Sequence, residues 1–164
     1  MDPGDMTKHM SIIHLPWSIK LLYGLISDNV PICGTRRKAY IIIMGVLQFV
    51  ALMTAYGLHN QSAIGVAFCL CMASLSEAFV NTVCEAMMCI QARKDPVHGS
   101  QDLIAFSWLA TGFGGLIGSF VAGIITQYYH PKYGFFLYSF FGLIVAFNGF
   151  FLTKQSEEEE EEDQ

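Results

Sequence analysis

Charge is what this sequence has least of. Charged residues make up 14% of its 164 positions, against 53% hydrophobic ones. A soluble domain carries about a quarter charged residues, so long low-charge apolar stretches point to membrane spans instead. The net charge of −5 does not describe the body of the chain, because residues 157–163, EEEEEED, carry seven negative charges and leave the remainder at about +2. Basic residues form no concentrated patch, which argues against nucleic acid as a partner. No C-x-x-C pair occurs. Of the five cysteines, Cys69, Cys71, Cys84 and Cys89 lie in apolar runs and Cys33 in a connection. Cys69 and Cys71, two apart, point to different faces of a helix, so the cysteines read as small membrane-core residues rather than disulfides or metal ligands. His14, His59, His98 and His130 do not converge in spacing, and neither a metal site nor a Ser–His–Asp or Cys–His arrangement is expected. Those absences predict a non-enzyme without a cofactor. The N-terminus, MDPGDMTKHM, has the pattern of neither a signal peptide nor an Arg-rich transit peptide, so it gives no organelle address.

What is present is apolar sequence in blocks. After an N-terminal segment, 1–10, apolar runs cover about 11–27, 39–58, 62–91, 101–127 and 133–153, and an acidic tail occupies 154–164. Crossing a bilayer takes about 20 helical residues at 1.5 Å each. The runs predict an all-α integral membrane protein of five helices. The first is short, broken by Pro16 and charged at Lys20, and the third is long enough to tilt or protrude. Lys and Arg alternate along the connections. Arg36, Arg37 and Lys38 lie between the first two runs, Arg93 and Lys94 between the third and fourth, and the intervening HNQ has no formal charge. The positive-inside rule places the two basic loops in the cytoplasm or its equivalent, the N-terminus outside and the acidic tail inside. The tail reads as a solvated end, with docking to a basic partner as the alternative.

Polar residues inside apolar runs carry the functional information. Glu77, Asn81 and Glu85 stand at i, i+4 and i+8, on one helical face. A carboxylate at a span centre costs about 2.5–3.5 kcal/mol to insert, so it faces a cavity, a partner or a counter-charge. Lys20, also within a span, is the available counter-charge. The structural alternative is that these residues only satisfy one another or a partner subunit. In the fourth run, Thr111, Gly115, Ser119 and Gly123 form one small-residue stripe, with Gly114 and Gly118 beside it, of the kind that lets membrane helices approach closely. No strand precedes these glycines, so they do not read as a dinucleotide loop.

Residues 15–40, LPWSIKLLYGLISDNVPICGTRRKAY, carry a longer signature. They resemble the folate–biopterin transporter family of the major facilitator superfamily, whose pattern runs Pro-Trp-x-Ile-Lys-Pro-Leu-Tyr-Gly-x-x-Ser-Asp-x-x-Pro-Ile-x-Gly-x-Arg-Arg. The matching residues are Pro16, Trp17, Ile19, Lys20, Leu22, Tyr23, Gly24, Ser27, Asp28, Pro31, Ile32, Gly34, Arg36 and Arg37, and the family proline after the lysine is Leu21 here. SEAFVNTVCEAMMCIQAR is similar to the family's acidic fourth span and FSWLATGFGGLIGSFVAG to its Gly-rich fifth. The resemblance implies spans two to six of a twelve-span architecture, a five-helix partial half-bundle, with no counterpart for the first span or the second half. It implies that Glu77, Asn81 and Glu85 would line a central pathway, contacting a polar solute or exchanging a proton. It also implies that Gly24, Asp28, Arg36 and Arg37 form a conformational latch. The alternative for the basic residues is that they only set topology.

Three functional expectations follow. The chain contributes half of a transport pathway for a pterin- or folate-like solute, completed by another copy or another chain. Or it is a non-transporting structural subunit of a larger membrane assembly, a mitochondrial respiratory one among the candidates. Or the sequence is part of a longer transporter. Each expects the lipid bilayer and other membrane protein chains as partners.

Overall fold

The computed structural model describes residues 11, 13–30, 37–58, 63–93 and 99–151. Every regular element among them is helical: α1 (Lys20–Asn29), α2 (Lys38–Leu58), α3 (Ala63–Arg93), α4 (Gly99–Tyr128) and α5 (Lys132–Phe151). The all-α membrane class holds. Helices α2 to α5 are long and apolar enough to cross a bilayer. The first apolar run is helical too, but in two pieces. Residues 13–18 form one, Ile19 is a turn, and the 10 residues of α1 form the other. The Leu22 amide bonds the Ile19 carbonyl at 2.9 Å, and the Val30 amide closes the far end on the Ile26 carbonyl at 3.0 Å. Pro31 comes next in the sequence and has no N–H with which to extend that ladder. α5 begins just after Pro131, a residue suited to a helix start, where Tyr133 and Gly134 donate to the His130 and Pro131 carbonyls at 3.0 Å each.

The chain divides into two compact units, Met1–Val83 with Phe135–Gln164, and Cys84–Gly134. In the first, α2 packs against both α3 and α5 and runs antiparallel to both. Tyr40 stacks on Phe79 at 5.2 Å near one end of α2. Ala51, Leu52 and Ala73 make a buried cluster further along, with Leu70 and Met72 against it. On the other side Phe49 meets Phe140 at 6.4 Å and Tyr56 meets Phe136 at 5.7 Å.

The α2–α5 contact is backbone against backbone. A Cβ placed on Gly45 would fall 2.7 Å from the Ala146 nitrogen and the Gly142 oxygen, and one on Gly142 would fall 2.8 Å from the Gly45 oxygen. A Cβ on Gly149 would fall 2.8 Å from Ile42 Cγ1. Only hydrogen fits at Gly45 and Gly142, where the obstructing atoms are backbone, and this permits the close approach. α1 joins through Tyr23, whose ring lies 5.3 Å from Phe79, and through Val30, whose carbonyl accepts from Tyr40 Oη at 2.8 Å.

In the second unit α4 has no buried residue. Large apolar side chains such as Phe106, Trp108, Phe113 and Phe120 are exposed along it, the surface a lipid-facing helix presents. Hydroxyls on the spans turn back to their own helix. Thr54, Thr82, Thr111 and Thr126 each donate to the carbonyl four residues earlier at 2.7–2.8 Å. An apolar solvent offers these groups no other partner.

Candidate functional site

Helix α3 places Glu77 close to its own midpoint. At 1.5 Å per residue, Glu77 lies about 21 Å from the Ala63 end and about 24 Å from the Arg93 end. The 31-residue helix, at about 46 Å, is longer than a hydrocarbon layer about 30 Å thick, and Glu77 lies inside its apolar part. Its side chain is exposed, while Ser76, Ala78 and Phe79 on either side are buried. Asn81, one turn on, is half-buried, and Glu85, a further turn on in the other unit, is exposed.

What the Glu77 carboxylate meets comes from α5. Tyr138 Oη donates to Glu77 Oε1 at 3.1 Å. The Gln48 amide of α2 interacts with the same phenol oxygen. Gln48 is buried on α2, at the middle of a 21-residue helix, and reaches α5 where Gly142 leaves room. A Cβ on Gly142 would fall 3.3 Å from Gln48 Cβ. Three helices therefore bring a carboxylate, a phenol and an amide together inside the first unit.

Neither Gln48 nor Tyr138 stands out from sequence alone. Tyr138 sits among aromatics in YGFFLYSFFG, and a phenol there reads as packing. Gln48 carried the better signal, a lone amide in the apolar run IIIMGVLQFVALM. A buried amide in hydrocarbon needs a partner, and that requirement could have singled it out.

The remaining sequence candidates fall elsewhere. Lys20 lies at the start of α1 with its ammonium 5.7 Å from the centre of the Trp17 ring, within cation–π range. Gly24 packs close to α3, where an added Cβ would fall 3.5 Å from Thr82 Cγ2. Arg37 stands just before α2, its carbonyl accepting from the Ile41 amide at 3.2 Å. The Asp28 side chain, Arg36 and the acidic tail lie outside the described residues. On α4, Thr111, Gly114, Gly115, Gly118, Ser119 and Gly123 are all exposed. A Cβ added at any of the four glycines would meet nothing within 4 Å. Cys69, Cys71, Cys84 and Cys89 form no disulfide. Among the described residues no group of three His, Cys, Asp or Glu side chains is placed to hold a metal ion.

Comparison with known proteins gives a consistent picture. The BT1 family profile matches residues 1–164. The chain is 35% identical over 126 residues to probable folate-biopterin transporter 4 of Arabidopsis thaliana, covering 75% of this chain and 26% of that one. It is 25% identical to the folate-biopterin transporter of Synechocystis sp., covering 99% of this chain and 33% of that one. It is 28% identical to folate transporter 1 of Plasmodium falciparum, covering 94% and 31% respectively. The chain thus spans about a quarter to a third of the length of these relatives. No solved structure matches it.

Proposed function

The chain belongs to the BT1 family, and from that premise we propose that this multi-pass membrane protein forms part of a transport pathway for a pterin- or folate-like solute. Further helices, from a second copy or another chain, complete the pathway. One observation carries the reading: Glu77 is an exposed carboxylate within the apolar helix α3. Against lipid, a carboxylate there costs about 2.5–3.5 kcal/mol on insertion scales. That cost is avoided when the surface it occupies faces a water-filled cavity. Asn81, one turn further along the same helix, adds a second polar group in the first unit, as a path for a polar solute requires. The relatives' names supply the solute class. Gly24, Asp28, Arg36 and Arg37 would serve as the latch or as topology determinants, and the small-residue stripe of α4 as the face that receives added helices.

A second reading, a non-transporting subunit of a larger membrane assembly, is favoured by α4, which has no buried residue. Uptake of radiolabelled folic acid separates the two. In cells expressing the full chain, Glu77→Gln should abolish uptake while the thermal stability of the purified protein stays unchanged. If instead the carboxylate serves only to balance Lys20, the same substitution should cost about 3–5 kcal/mol of stability, partly recovered by adding Lys20→Met. Wild-type uptake in both Glu77→Gln and Glu85→Gln would sink the pathway reading.

A further inference from the structure

Glu77 has a flexible side chain on an exposed surface, and a pathway carboxylate is useful only in a fixed orientation. We propose that Tyr138, braced by Gln48, is the positioning residue that fixes the Glu77 carboxylate, and that the glycine contact between α2 and α5 sets the reach of this brace. The proposal rests on the pathway reading and adds to it two residues and a mechanical cause.

Tyr138 holds one carboxylate oxygen through its hydroxyl, at 3.1 Å. Its ring is held in turn by Phe141, 6.1 Å away. The Gln48 side chain also hydrogen-bonds the phenol and is itself buried. A buried amide has few rotamers available, so the order of α2 is passed to the phenol and from the phenol to the carboxylate. The reach depends on Gly142, one turn beyond Tyr138 on α5. With hydrogen there, the Gly45 oxygen and the Phe49 nitrogen come within 2.8 and 2.9 Å of where a Cβ would stand. Any side chain at 142 would push α2 away and lift Gln48 off the phenol. A structural role alone would require only that Tyr138 fill space, which phenylalanine does equally well.

The test measures the carboxyl directly. The full-length chain in lipid nanodiscs is treated with dicyclohexylcarbodiimide, and modification at Glu77 and Glu85 is followed by mass spectrometry. Tyr138→Phe keeps the ring and removes the donor. It should raise the rate at Glu77 about fivefold, the factor to which one ordinary hydrogen bond corresponds, and leave Glu85 unchanged. Gln48→Leu should act in the same direction and less strongly. An unchanged Glu77 rate in Tyr138→Phe overturns the proposal, as does an equal rise at both carboxyls, which would report general loosening. Failure of the pathway reading registers separately, as wild-type folic acid uptake in both Glu77→Gln and Glu85→Gln, whatever the labelling result.

Discussion

Two sets of glycines in this chain behave in opposite ways. Gly45 and Gly142 lie where α2 and α5 press backbone to backbone and Gly149 where α5 meets the Ile42 side chain, and at each a Cβ would fall 2.7–2.8 Å from a neighbouring atom. Gly114, Gly115, Gly118 and Gly123 on α4 form the denser and more regular pattern, yet nothing lies within 4 Å of a Cβ at any of them. Spacing of small residues states that a helix can be approached closely. It does not state that another helix of the same chain makes the approach. The first set is constrained by what it touches now, the second only by what it could receive.

Substitution can break that contrast. The largest effect is expected at the crossing. Gly45→Val forces branched carbon into positions held by the α5 backbone, where no flexible side chain can yield. Overpacking costs typically about 1–3 kcal/mol and more where backbone must move, so loss of about 3 kcal/mol or more is expected, read as a lower denaturant midpoint in detergent. Tyr40→Phe is expected to be milder. It keeps the stack on Phe79 and removes only the bond to the Val30 carbonyl, for about 1 kcal/mol in the same titration. The smallest effect is expected on α4, with the opposite sign. Gly115→Ala improves helix propensity and meets no neighbour, so it should be neutral or stabilising by up to about 1 kcal/mol. A clear destabilisation at Gly115 would show that the α4 stripe is occupied in the assembled protein, and the two glycine sets would then be alike.

The helical class was legible because apolar runs of about 20 residues with almost no charge leave no other structure for a chain in lipid. The break at Ile19 was foreshadowed by Pro16 and Lys20. The α2–α5 crossing was not legible. Gly45 is an isolated glycine in its run, and Gly142 and Gly149 are seven apart in a stretch dominated by phenylalanine. Which glycines touch depends on the facing helix, and a single sequence does not record that pairing. Glu77 could be singled out because a carboxylate in an apolar run is conspicuous by its cost. Tyr138 could not, because a tyrosine among phenylalanines declares itself only when its hydroxyl finds an acceptor on another helix.

The break in the first helical region bears on the parity of membrane crossings. Helices α2, α3, α4 and α5 are the ones long enough to traverse the bilayer, and four is an even number. With those four crossing, the chain returns after α5 to the side from which it entered α2. On that topology Arg36, Arg37 and Lys38 would be expected on the same side as the seven consecutive acidic residues at 157–163, whether or not the pieces on either side of Ile19 cross. Only the compartment of the N-terminus changes with the fate of that short first region. A chain with those four crossings would carry the basic and acidic extremes of its sequence, distant along the chain, in one aqueous phase.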